Sequence, residues 1–313
     1  MKASFLKMLK KISLFLSSWP VRFFAWWIAT GYFLFYPSKR RSSIRLYQGI
    51  FPDRRAWYYL FCAWRQFHSF AATFGDRIDF GGKKKGSIST QGSEGVLEAA
   101  RSGRGGIILM SHLGSFEIAA RGFQEVGLKH LMIMGEKEAK QVARDQREAL
   151  KARGITILVA TGKDDSLLDG LEAIKFIREG GIVSLAGDLV WTQQRSLLPV
   201  RFFDREVALP SGPHLLALVS GAPLFILFTF RDMRGGQRVI ISPPLEVKAL
   251  SRTERKIALQ GSAQIYAAAL EEMVRQHPFQ WYIFEPFFRP PAGPRGSLSP
   301  ALRPRSRETM EGI

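Results

Sequence analysis

Between residues 88 and 281, short apolar runs alternate with longer polar-faced stretches. The runs lie at residues 107–110, 131–134, 155–159, 182–186, 224–230 and 239–241. Continuous apolar runs edged by glycine and polar residues are the pattern of strands buried on both faces. The stretches 116–126, 138–152, 166–179, 212–220 and 252–277 predict helices. Gly127, Gly154, Gly180, Gly181 and Gly221 stand where a left-handed glycine ends a helix. Strands and helices in alternation predict an α/β fold, a mostly parallel sheet flanked by helices. A further helical stretch at 43–76 carries Trp57, Tyr58, Tyr59, Trp64, Phe67 and Phe70 and is expected to pack on the core. Residues 81–86, Gly-Gly-Lys-Lys-Lys-Gly, read as a basic turn.

The pattern before residue 43 is of another kind. Residues 23–36 form an uncharged, aromatic run of 14 residues. As a helix it spans only about 21 Å, against roughly 30 Å of bilayer hydrocarbon. Extending it back to residue 12 sets Pro20 and Arg22 mid-span, where an arginine costs at least ~2.5 kcal/mol. The expectation is an N-terminal hydrophobic membrane-anchoring helix embedded in one face of the bilayer. Pro-Ser-Lys-Arg-Arg follows the run in place of a small-residue cleavage site, so a removed leader is not expected. The expected organisation is an anchor at 1–42, a principal domain at 43–288, and a tail at 289–313. The tail is rich in proline and arginine, lacks a periodic apolar face, and is expected to be disordered.

Charge narrows the partners. With 45 Lys and Arg against 27 Asp and Glu, the formal net charge is +18, which calls for an anionic partner. The first 52 residues hold nine basic residues and no acid, interleaved with Trp, Phe and Tyr. That mixture suits an anionic membrane surface. A nucleic-acid arm would be basic and polar, so nucleic acid is not an expected partner. The single cysteine, Cys62, excludes an internal disulfide and a cysteine-rich zinc site. It sits among Leu60, Phe61 and Trp64 as a small buried hydrophobe would. No G-x-S-x-G elbow, complete P-loop or H-E-x-x-H sequence occurs, and neither a metal nor a cofactor is expected.

The chemistry concentrates at residues 105–117, Gly-Gly-Ile-Ile-Leu-Met-Ser-His-Leu-Gly-Ser-Phe-Glu. His112 falls just past the end of a predicted buried strand, where α/β sheets place their ligand crevices, and Glu117 follows five residues later. A histidine there can take a proton from a hydroxyl, and a carboxylate can fix its tautomer. The same residues also allow a plainer reading, a strand-end histidine bonded to backbone with Glu117 solvated. His68, His130, His214 and His277 have no acid at that offset and read as structural or surface histidines.

At Ser111-His112-Leu113-Gly114-Ser115-Phe116-Glu117 the chain resembles the bacterial lipid A biosynthesis acyltransferase branch of the lysophospholipid acyltransferase superfamily. The resemblance covers most of residues 1–288. Supporting blocks are 182–188, ending in Gly187-Asp188; Val200-Arg201-Phe202-Phe203 with Leu209-Pro210-Ser211-Gly212; Ser220-Gly221-Ala222-Pro223 with the following strand to Arg231; and Pro278-Phe279-Gln280-Trp281-Tyr282. Two positions depart: Ser115-Phe116 stands where the family usually has Asn-Trp, and Phe284-Glu285-Pro286 where it has His-x-Arg. The chain therefore resembles a sister subfamily, acting on lipid A-like or other glycolipids.

The resemblance implies a membrane-bound O-acyltransferase. It would move a fatty acyl chain from an acyl thioester, on acyl carrier protein or coenzyme A, to a hydroxyl of a lipid or glycolipid. His112 would be the general base and Glu117 its partner. Ser111, Gly114, Ser115, Asp188, Phe202, Phe203 and Arg231 are the implied substrate-binding residues. The implied location is the bacterial inner membrane, catalytic domain toward the cytoplasm. The rival expectation is a non-catalytic lipid-binding scaffold of the same fold.

Overall fold

Gly106–Met110 (β2) is buried at every position, as a strand covered on both faces must be. In the computed structural model it is the centre of a seven-stranded sheet. The structure describes residues 18–79, 88–115, 118, 123, 127–135, 154–160, 166–189, 196–232 and 236–288. The predicted helix at 138–152, most of that at 116–126, the basic turn at 81–86, the tail at 289–313 and residues 1–17 lie outside these.

Three helices come first: α1 (Ser18–Phe35), α2 (Pro37–Ile50) and α3 (Ala56–Asp79). They are followed by β1 (Ile88–Gln91), α4 (Glu94–Arg101), β2, β3 (His130–Gly135), β4 (Ile155–Ala160), α5 (Ser166–Arg178) and β5 (Ile182–Ala186). A hairpin of β6 (Leu197–Phe202) and β7 (Arg205–Pro210) precedes α6 (Gly212–Ser220), β8 (Leu224–Arg231), β9 (Gln237–Ile241) and α7 (Arg252–Gln276). A single 3₁₀ turn, Pro278–Gln280, leads into the last described segment.

The sheet order is β1-β9-β8-β2-β5-β3-β4. Five strands, β8, β2, β5, β3 and β4, run parallel. β9 pairs antiparallel with β8, and β1 parallel with β9. Alternate residues of β2 feed two cores. Ile107 and Leu109 join α7, α6 and α5 through Tyr266, Ala217 and Ile177, while Ile108 and Met110 join α4 through Val96 and Ala99. The sheet is thus a middle layer, mostly parallel and flanked by helices.

Three strands were not legible in the apolar runs. β1 is exposed throughout and reads Ile-Ser-Thr-Gln, so it carries no burial pattern. β6 and β7 are broken by Pro199, Arg201, Arg205 and Glu206. Their turn is made by Phe203 and Asp204 at φ of 49° and 57°, without the glycine that marks such turns. The expected helix at 43–76 is two helices. Pro52 cannot continue α2, and Asp53 turns the chain at φ 63° before α3 begins.

α1 packs on α3 through Trp26 against Trp64 and Phe33 against Phe67. Its other face is open: Phe23, Phe24, Trp27, Tyr32 and Phe35 are exposed, the last at 80 %. Among the described residues no helix is long and apolar enough to cross a membrane.

Candidate functional site

Strand register assembles the site. Met110 of β2 lies opposite Ala186 of β5 in a parallel pair, so residues the same distance past each come together at the carboxyl edge of the sheet. Two residues beyond stand His112 and Asp188. The His112 ring Nδ1 lies 2.8 Å from Asp188 Oδ1. The His112 backbone N–H donates to Asp188 Oδ2 at 2.7 Å.

A third donor closes the carboxylate. Trp281 Nε1–H donates to Asp188 Oδ2 at 2.8 Å. Trp281 arrives there because its segment pairs with the motif: Gly114 N–H donates to Gln280 O at 2.8 Å and Tyr282 N–H to His112 O at 2.9 Å. Asp188 is fully buried, while the His112 side chain is 30 % exposed. Three N–H donors converge on a buried carboxylate, the environment in which charge-assisted hydrogen bonds are strongest. An acceptor-only partner requires the ring to carry its proton on Nδ1, which leaves the Nε2 lone pair as the base.

The surrounding backbone is held tightly. Gly187 N–H and Tyr266 O–H both donate to Met110 O, at 2.9 and 3.0 Å. Burial, and secondarily the charge of Asp188, push the Tyr266 phenol well above its ordinary pKa, so it remains a neutral donor. Gly114 takes φ +73°, and a Cβ on it would sit 1.9 Å from Thr229 O. Only glycine admits that approach of the motif to β8.

The other sequence-predicted site residues fall as follows. Glu117 lies outside the described residues. Ser111 Oγ accepts Leu113 N–H at 3.3 Å. Ser115 is buried, and its Oγ has no hydrogen-bond partner among the described residues. Arg231 ends β8, its backbone clamped by the Gln280 side chain at 2.7 and 2.8 Å. Phe202 is fully buried against Trp281 at 5.5 Å, with Phe203 packed edge-on to it at 4.9 Å. These rings support the tryptophan that holds Asp188. Trp281 belongs to no catalytic motif of the sequence. Its only sequence signal was the Pro-Phe-Gln-Trp-Tyr block near the end of the principal domain.

No group of three or more His, Cys, Asp or Glu that could hold a metal ion occurs among the described residues. His130 and His214 are buried, each with one ring nitrogen on a serine: Ser184 at 2.7 Å and Ser262 at 2.8 Å.

The family model for bacterial lipid A biosynthesis acyltransferases matches residues 65–290, well over half of the chain. That match spans His112, Asp188 and Trp281. No curated protein matches the chain.

Proposed function

The chain belongs to the bacterial lipid A biosynthesis acyltransferases, and from that premise we propose that His112, oriented by Asp188, is the general base of acyl transfer from a thioester to a lipid hydroxyl. The family makes it an acyltransferase with a lipid or glycolipid acceptor. The observation that carries the assignment of His112 is the 2.8 Å contact of its Nδ1 with a fully buried carboxylate.

In the proposed step, His112 Nε2 takes the proton of the acceptor hydroxyl as its oxygen attacks the thioester carbonyl carbon. The tetrahedral adduct collapses with cleavage of the carbon–sulfur bond. The thiolate leaves and recovers the proton from the imidazolium, so an ester and a thiol replace an alcohol and a thioester. Asp188 stabilises the imidazolium without being protonated itself. A base so placed contributes about 10²–10⁴-fold, the remainder coming from positioning and oxyanion stabilisation. Ser115 Oγ, buried and unpartnered among the described residues, is the proposed hydrogen-bond donor to bound substrate.

Glu117 is retained as a second carboxylate of the same centre. The donor is an acyl carrier protein or coenzyme A thioester. The enzyme works on the cytoplasmic face of the inner membrane. The exposed rings of α1, together with Trp57 at 64 % exposure on α3, support insertion into the interface without crossing it.

The test is acyl transfer by purified protein from labelled acyl carrier protein to membrane lipid. His112→Ala and Glu117→Ala are each expected to abolish the labelled lipid while the melting transition persists. Retained turnover in His112→Ala removes the mechanism.

A further inference from the structure

Beside the Pro278–Gln280 turn lies a cavity of about 510 Å³ whose lining includes neither His112 nor Asp188. It is lined by Trp26 of α1, Arg65, His68 and Ser69 of α3, and Gln276 and Gln280 beyond the sheet. Its volume is that of a small-ligand pocket. Gln280, the last residue of the 3₁₀ turn, borders this cavity, and the next residue, Trp281, faces Asp188.

Among the described residues that line it, Arg65 carries the charge. Burial lowers the pKa of His68 and of His277, which also borders the cavity. Both His68 nitrogens are engaged, Nδ1 with Trp64 O at 2.8 Å and Nε2 with Thr30 Oγ1 at 3.0 Å. Both rings are therefore neutral at pH 7. Arg65 remains as the cation, its guanidinium 5.5 Å above the Phe279 ring. No carboxylate among the described residues pairs with it. The neutral polar groups beside that cation are the Ser69 hydroxyl, which also meets the Tyr282 hydroxyl, and the Gln276 amide, which also donates to Glu272; the Gln280 amide is taken up by the Arg231 backbone.

Exposed aromatic rings adjoin the lining residues Trp26 and Phe279. Trp27 stacks edge-on against Trp26 at 5.3 Å and against Phe23 at 6.3 Å. Phe61 packs edge-on against the lining residue Phe279 at 6.3 Å. Phe23, Trp27 and Phe61 are each more than 40 % exposed. Exposed rings around a lone guanidinium match the boundary between acyl chains and headgroups, where aromatic side chains and arginine meet phosphate.

We propose that this cavity between α1, α3 and the Pro278–Gln280 turn binds the phosphodiester headgroup of an anionic membrane lipid, with Arg65 on the phosphate and the adjoining exposed rings against its acyl chains. A single cation among neutral donors suits the single negative charge of a phosphodiester. The site is distinct from the His112–Asp188 pair and does not depend on its chemistry.

The experiment is calorimetric titration of the purified full chain with short-chain phosphatidylglycerol below its micellar concentration, with inorganic phosphate as a second probe. Saturable binding is expected. Arg65→Gln is expected to weaken it about tenfold or more, the scale of a lost charge-assisted hydrogen bond. Ala72→Phe, which places a ring in the cavity, is expected to block it. Arg178→Gln, an exposed arginine on α5, and His112→Ala are expected to bind as the wild type does. Wild-type binding by both cavity variants would overturn the proposal. So would equal loss in Arg178→Gln, which would mean unspecific charge attraction. Loss in His112→Ala would put the lipid at the catalytic pair instead. Displacement of the lipid by equimolar inorganic phosphate would reduce the site to a bare anion site.

Discussion

Replacing Asp188 by asparagine separates the orienting role of the carboxylate from its volume. Oδ2 accepts two N–H groups, from the His112 backbone and the Trp281 indole, at 2.7 and 2.8 Å. In the variant the amide oxygen must stay on that side, because turning the amide over would set an NH₂ against two buried donors, at about 1–3 kcal/mol for each unsatisfied group. The NH₂ then faces the ring where Oδ1 had been, 2.8 Å from Nδ1. Facing a donor, Nδ1 must become the acceptor, and the ring proton moves to Nε2. The lone pair proposed to take the hydroxyl proton is gone, although the fold keeps its shape. The expected loss in kcat is about 10²–10⁴-fold, or about 3–5 kcal/mol of transition-state stabilisation. The measurement is single-turnover acyl transfer, with a thermal melt as control. Turnover within about threefold of wild type, in a protein that melts normally, would refute the tautomer argument and return the orienting role to another group.

Trp281→Phe keeps a ring against Phe202 and Phe287 but removes one donor from Asp188, and transfer is expected to fall about tenfold; an unchanged rate would mean that the indole serves packing alone. Gly114→Ala forces a side chain into the left-handed region, costing about 1–2 kcal/mol. It also sets Cβ 1.9 Å from Thr229 O, so both melting temperature and activity are expected to drop, and retention of both would contradict the described approach of the motif to β8. His130 and His214 are each pushed down to about 4 by burial. Because their folded pKa values lie below the unfolded value, the unfolded chain binds more protons between about pH 6.5 and 4, and stability falls as pH falls through that window. Each contributes up to about 3 kcal/mol. Urea midpoints measured from pH 7 to pH 4.5 are expected to decline, less steeply in His214→Gln, and a flat profile would show that neither buried ring matters to stability.

Much of the architecture could be read from the chain because burial on both faces leaves continuous apolar runs, and each run at 107–110, 131–134, 155–159, 182–186, 224–230 and 239–241 lies within a strand. The exposed β1 and the β6–β7 hairpin left no such trace, since an edge strand and a proline-broken hairpin need no apolar run. The α2–α3 break was written in Pro52 but obscured by the aromatic residues on either side. At the site, His112 was legible from its place at the end of a buried strand. Its described carboxylate was not, because the pair is separated by 76 residues.

By itself, then, the sequence determined the alternation of strands and helices, the histidine at the end of β2, the family, and the basic aromatic surface that precedes the sheet. Tertiary structure alone decided that β5 lies beside β2, in the register that sets Asp188 against His112, and that Trp281 returns across the sheet edge to hold that carboxylate. The reason is physical. Spacing along a chain records which residues share a turn or a strand, whereas the order of strands in a sheet depends on how all the apolar faces are buried together.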